Sequence, residues 1–217
     1  MTRRGRTLPR SFYARDSLDL APLLLNKLLV RDEPDGADRL AARLVEVEAY
    51  RGSSDPGSHA FRGMTPRTTT MFGSPGHLYV YFTYGMHWCA NVVAAHDDGD
   101  AAAVLLRAAV PLEGLDTMRA RRHTKGHAEG RAKGSVARTD RELCAGPARL
   151  CQAFGLTGEH DGTDLTRGTL RIVDDGTAPP DDPFVSTRIG LTPGKGDDHP
   201  WRFCVPGDPH ISRPPRA

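Results

Sequence analysis

Glu46, Glu48 and Tyr50 recur at a spacing of two within the stretch 44–50. On an extended strand that spacing puts all three on one face and Val45, Val47 and Ala49 on the other. A carboxylate beside an aromatic ring is a candidate general base, able to align a water and take its proton. Spacing alone does not choose between Glu46 and Glu48. Four of the five tyrosines lie between Tyr50 and Tyr84. Tyr79 and Tyr81 share a strand face, and Tyr84 stands beside Gly85 at a turn, placed to protrude. Aromatic faces stack on nucleobases and gain a cation–π contribution when the base is cationic. The same pair would serve equally well as sheet core with one wet hydroxyl each. His59, in the loop between these strands, offers a stacking or hydrogen-bonding ring.

The elements that must position these groups are strands joined by short turns. The pattern predicts a helix over 17–30, capped by Asp16 or Ser17, and then the strand 44–50. A Gly/Ser/Pro/Thr-rich loop follows over 51–76, and loops of that length are usually functional. Strands are predicted at 77–83, 87–95 and 102–108, with a turn at Asp97-Asp98-Gly99-Asp100. A helix is expected after Pro111. Thr139 to Glu142 has capping-box spacing, and Pro147 to Phe154 reads as a helix stopped by Gly155. Short strands near 169–173, 184–189 and 201–205 finish the chain. Consecutive strands with short connections favour antiparallel pairing over a βαβ array. The expectation is α+β: a single mixed domain over 1–217 with a curved, mainly antiparallel sheet and surrounding helices. It would carry a basic N-terminal arm at about 1–11 and a mobile insert at 124–138.

Composition narrows the function class. With 217 residues, 38% hydrophobic and 26% charged, the chain can bury a core and is not disordered by composition. No run approaches the roughly 20 apolar residues of a membrane span. The apolar stretch 17–30 is broken by Asp19, Pro22 and Asn26-Lys27 and leads to no small-residue cleavage site, so the chain reads as soluble and intracellular. Cys89, Cys144, Cys151 and Cys204 show no C-x-x-C spacing and read as reduced and structural. The nine histidines show no zinc-ligand spacing, so no metal and no cofactor is expected. Net charge is only +2, yet Arg119 to Arg141 holds eight lysines and arginines against Glu129 and Asp140. With the arginine-rich first ten residues, this makes two basic segments suited to a polyanion, because arginine forks match phosphate oxygens.

Taken together in order, the blocks become recognisable. They are Val45-Glu46-Val47-Glu48-Ala49-Tyr50, Asp55, His59, Thr65-Pro66-Arg67 and Met71-Phe72. Then come Tyr79-Val80-Tyr81-Phe82-Thr83-Tyr84-Gly85-Met86, Asn91, Leu106-Arg107-Ala108 with Pro111, and Leu143-Cys144-Ala145-Gly146-Pro147. Arg188-Ile189-Gly190 and Trp201-Arg202-Phe203 close the series. From about Phe12 to Ile211 the chain resembles the alkyladenine (3-methyladenine, or methylpurine) DNA glycosylase family.

The resemblance implies a fold, an activity and a site. Members flip a damaged purine out of duplex DNA and hydrolyse its N-glycosidic bond, the opening step of base-excision repair. Glu48 matches the glutamate that deprotonates the attacking water, and Arg107 an arginine near that water and the flipped phosphate. Tyr50, His59 and Tyr81 match the aromatic walls of the base pocket. The backbone at Gly57 and His59 matches the part that bonds the purine edge, and Asn91 a side chain that rejects a guanine amino group. Tyr84 matches the residue that intercalates into the gap. Val47, His87, Trp88 and Ala90 depart from the pattern beside the pocket. No lysine lies in the matched pocket blocks, which points to a monofunctional hydrolase without lyase activity. Double-stranded DNA is the implied partner, with a monomer acting in the cytoplasm at the nucleoid. Two other classes fit the same residues: a lesion-binding module without turnover, and a nucleoside or small-amide hydrolase using the same carboxylate.

Overall fold

The computed structural model describes residues 5–33, 38–95, 100–123 and 137–213. They form a mixed α+β fold around one nine-stranded sheet in which every pairing is antiparallel. In chain order the strands are β1 (Arg6–Thr7), β2 (Leu28–Asp32), β3 (Arg39–Arg51), β4 (Leu78–Thr83), β5 (His87–Ala94), β6 (Ala102–Glu113), β7 (Leu170–Asp174), β8 (Phe184–Ser186) and β9 (Arg202–Cys204). The helices are α1 (Arg10–Tyr13), α2 (Ser17–Leu24), α3 (Leu115–His123) and α4 (Pro147–Phe154). The sheet runs β1-β7-β2-β3-β6-β5-β4, and β9 pairs both β3 and β8. Among the described residues no helix is long and apolar enough to cross a membrane.

One face of the sheet carries the main core, packed against α2 and α4, and includes Leu20, Leu24, Leu44, Val47, Leu106, Leu150 and Phe154. The other face is covered by the loop 51–76, whose Ala60 and Met71 pack on Tyr79, Val93 and Ala103. The expected alternation along 44–50 is interrupted. Leu44 pairs with Ala109, Glu46 with Ala108, and Val47 with Leu106, so Val45 and Arg107 are each an extra residue in their strand. These opposed β-bulges switch the phase: core positions on β3 are Leu40, Ala42 and Leu44 before the bulge, then Val47 and Ala49 after it. Val45 is buried but lies outside the cluster that holds Val47 and Ala49.

Other elements differ from expectation for physical reasons. The helix expected over 17–30 ends at Leu24, because Leu25 turns extended and Asn26 takes a left-handed φ of 65°. Leu28, Leu29 and Val30 then form a strand between β3 and β7, fully buried, which makes a continuous apolar run indistinguishable from a buried helix by period. The Asp16 cap is present, its carboxylate accepting from the Leu18 N–H at 2.8 Å. Strand β6 runs past Ala108 through Pro111, and α3 starts after Gly114. Thr139 makes no capping bond; Glu142 takes the Arg138 N–H instead, in a short 3₁₀ turn. Strand β8 stops at Ser186, two residues before Arg188 is drawn into the site. The turn at 97–99, residues 124–136 of the insert and residues 1–4 of the arm lie outside the described residues.

Several residues of the basic segments, where described, pair within the chain. Arg10 donates to Asp164 at 2.7 Å and to the Pro75 carbonyl at 2.6 Å. Arg119 bonds Asp116 and Asp140, Arg121 bonds Glu33, and Arg122 bonds Gln152.

Candidate active site

Register alone assembles the floor of the site. Tyr79 pairs with Asn91, Asn91 with Leu105, and Leu105 with Glu48, so these residues form one row across β4, β5, β6 and β3. Directly paired residues share a face, and the next positions on that face are Tyr81, Cys89, Arg107 and Tyr50. Above this floor lies a cavity of about 360 Å³, within the ~300–1,000 Å³ range of small-molecule sites. Tyr50, Gly57, His59, Tyr81, Tyr84, Asn91 and Arg107 all line it. Glu48 sits fully buried behind that lining.

Glu48 is held by partners that themselves line the cavity. Tyr50 Oη donates to Oε2 at 2.9 Å, the Ile189 N–H donates to Oε1 at 2.7 Å, and Arg107 Nη1 lies 3.3 Å from Oε2. Glu46, on the same face, is engaged differently. Its Oε1 accepts from Arg107 Nε at 3.0 Å, Arg202 Nε at 2.7 Å and Ser212 Oγ at 2.9 Å, while Oε2 accepts from the Ser212 N–H at 2.5 Å. Burial by itself would raise the Glu46 pKa; Arg107, the Ser212 N–H and Arg202 together hold it below its ordinary value. Burial works against the Arg107 charge too, but Glu48 and Glu46 more than offset it and keep the guanidinium ionised. Of the two carboxylates that spacing left equivalent, Glu46 is shared by two arginines and Ser212, whereas among the described residues Glu48 is bonded only by Tyr50, Ile189 and Arg107, all of which line the cavity.

The aromatic walls have distinct geometries. Tyr79 and Tyr81 stack at 5.5 Å, and His59 stands edge-on to Tyr81 at 4.4 Å with its Nδ1 3.1 Å from Tyr79 Oη. Burial, then the charge of Arg67, pushes His59 down to about 4, so its ring is neutral at pH 7. Burial raises Tyr79 to about 12 and moves Tyr50 and Tyr81 upward as well, leaving all three hydroxyls protonated donors. Asn91 spends its amide on the Tyr79 carbonyl at 3.3 Å. Tyr84 is 77% exposed at the rim. It shares a positive φ with Gly85 in the β4–β5 hairpin, where the Met86 N–H reaches the Thr83 carbonyl at 3.1 Å. A tyrosine in that conformation is strained, so its outward placement is imposed by the turn.

Several residues here had no role assigned from sequence. Arg188 forms a fully buried pair with Asp55 at 2.6 and 2.7 Å and is sandwiched between the rings of Tyr50 and Trp201 at 4.5 and 4.9 Å. Asp55 also accepts the Gly57 N–H at 2.9 Å, so this pair fixes the loop carrying Gly57 and His59. A Cβ on Gly57 would meet the Lys195 carbonyl at 2.8 Å and Arg188 Nη2 at 2.9 Å. Cys89 lines the cavity with its thiol pKa raised by burial, while the other cysteines are buried and unpaired. Its position, two residues before Asn91 on β5, was the available signal. Among the described residues no lysine lines the cavity, and no cluster of three or more His, Cys, Asp or Glu side chains is placed to hold a metal.

The family model described as methylpurine-DNA glycosylase (MPG) matches residues 11–209. A protein of Burkholderia lata is 50% identical over 212 residues, covering 97% of this chain and 93% of its own. One of Streptomyces avermitilis is 47% identical over 208 residues (94% and 90%), and one of Carboxydothermus hydrogenoformans 42% over 207 (95% and 98%). All three carry the provisional name 3-methyladenine DNA glycosylase. The chain thus belongs to the methylpurine-DNA glycosylase family, DNA-repair hydrolases that act on N-glycosyl bonds.

Proposed function

We propose that this protein is a 3-methyladenine-type DNA glycosylase that flips an alkylated or deaminated purine from duplex DNA into the cavity and releases it by water attack at the sugar C1′. The observation that carries this is the buried Glu48 carboxylate behind a wall of Tyr50, Tyr81 and His59, with Tyr84 exposed at the rim. Extrusion costs a few kcal/mol, less for a weakly paired damaged base, and Tyr84 fills the gap left in the stack. The purine lies between Tyr50 and the His59–Tyr81 pair, its edge against the backbone at Gly57 and His59, with Asn91 opposing a guanine amino group. Glu48 takes a proton from water as the oxygen bonds to C1′; the C1′–N9 electrons leave with the base, giving free purine and an abasic sugar. A cationic lesion departs as a neutral base, so one general base, supplying roughly 10²–10⁴-fold, has a good leaving group to work with. A neutral lesion needs a proton delivered to its N7. Arg107, 3.3 Å from Glu48 Oε2, orients that carboxylate and borders the reacting water.

With no lysine in the lining among the described residues, the strand is left uncut: the enzyme is monofunctional, with no lyase step. It acts as one glycosylase domain and as a monomer, on DNA of the nucleoid. Incubation with a duplex carrying one 3-methyladenine or hypoxanthine should release free base and leave an alkali-labile but unnicked strand. A nick without alkali, or a borohydride-trapped adduct, would overturn the monofunctional assignment; no release of any lesion would overturn the activity.

A further inference from the structure

We propose that Arg213 is a phosphate-binding residue of this site, pairing with the backbone phosphate beside the extruded nucleotide. This rests on the glycosylase reading above. Among the described residues two arginines line the cavity, and they differ in what neutralises them. Arg107 is buried against Glu46 and Glu48. Arg213 is exposed at the rim, and among the described residues its guanidinium has no hydrogen-bond or ion-pair partner. That contrasts with Arg10, Arg43, Arg119, Arg121, Arg188 and Arg202, each paired with a carboxylate of the chain itself.

The backbone that carries Arg213 is built into the carboxylate cluster. Arg202 Nη2 donates to the Arg213 carbonyl at 2.5 Å, the Ser212 N–H and Oγ donate to Glu46, and Arg107 Nη2 lies 3.3 Å from Ser212 Oγ. With the backbone anchored in this way, meeting an anion orders the side chain alone and not the segment that carries it. Because it is unpaired and at the surface, it has no ion pair to break and little desolvation to offset. A base drawn into the cavity carries its own phosphates to the rim, where a fork-shaped cation suits them.

The test is the salt dependence of binding in the Glu48→Gln background, with fluorescent duplexes that carry one lesion or none. Adding Arg213→Ala should weaken lesion binding about two- to fivefold at moderate salt. It should also reduce the slope of log K against log[salt] by about 0.9. Arg213→Lys should restore the slope. The undamaged duplex should show no such change, since only flipping brings the phosphate to the rim. An unchanged slope, or an equal loss on undamaged DNA, would overturn the assignment. Base release by the parent Glu48 enzyme, measured alongside, tests the glycosylase reading separately. If release occurs and the slope does not move, only the Arg213 proposal fails.

Discussion

Replacing Glu46 with glutamine separates the two neighbouring carboxylates by what each one holds. Glu46 is fully buried and is the anion shared by Arg107 and Arg202. The amide keeps the size but removes the charge. Arg107 retains Glu48 at 3.3 Å, whereas Arg202 keeps only neutral acceptors (the substituted amide oxygen, Ser186 Oγ and the Arg213 carbonyl), so a buried cation is left without an anion. Breaking one side of such a pair costs about 3–5 kcal/mol. At roughly 2–4 °C per kcal/mol for a chain of this size, the melting temperature should fall by about 6–20 °C at pH 7. Glu48→Gln leaves Arg107 paired with Glu46 and should cost no more than about 1.5 kcal/mol, the scale of one hydrogen bond. The Glu46 contribution also has a direction with pH. Its folded pKa is depressed below the ordinary 4.5, so its stabilisation is complete above that value and is lost as pH falls through the folded pKa. Differential scanning calorimetry from pH 7 to pH 3 should show the gap between wild type and Glu46→Gln closing on acidification. A Glu46→Gln melting temperature within about 2 °C of wild type, or a larger fall for Glu48→Gln, would refute this division of labour.

Gly57→Ala should displace the loop that faces the purine edge, because its methyl meets the Lys195 carbonyl at 2.8 Å; lesion binding by fluorescence titration should weaken at least tenfold, and unchanged affinity would contradict it. Tyr84→Asn should raise stability by about 1 kcal/mol, since asparagine tolerates the left-handed conformation better, while release of base from duplex DNA falls. A variant both less stable and fully active would contradict that trade. His59 should titrate near pH 4 in a ¹H–¹⁵N NMR experiment, against an ordinary imidazole value of 6.5; a midpoint above 6 would show that its ring is not enclosed by Tyr79, Tyr81 and Arg67. Because the unfolded chain takes up that proton first, His59 should weaken the fold as pH falls from 6.5 toward 4.

Period-two patterning made much of the site legible in the sequence. Tyr79 and Tyr81 on one strand, and Glu48 with Tyr50 on another, are properties of extended backbone and needed no tertiary information. What patterning could not supply was register. The opposed bulges at Val45 and Arg107 depend on the pairing of β3 with β6, and they bring Arg107 between Glu46 and Glu48. The Asp55–Arg188 pair joins residues 133 apart in the chain and leaves no local signature. The strand at Leu28–Asp32 was hidden for another reason: a run of buried aliphatics has no period to read, although Asn26 marked the break. Spacing leaves Glu48 and Glu46 equivalent, and the choice of Glu48 rests on the family resemblance; that Arg202 and Ser212 bond Glu46 is a tertiary fact with no local signature.

The most direct measurement is single-turnover release of base from duplex oligonucleotides carrying one defined lesion, with wild type beside Glu48→Gln. Wild type should release the base; the variant should bind the lesion duplex and release it at least 10²-fold more slowly, the lower bound for loss of a general base. Release by Glu48→Gln at the wild-type rate would contradict the assignment of Glu48 as the group that activates water.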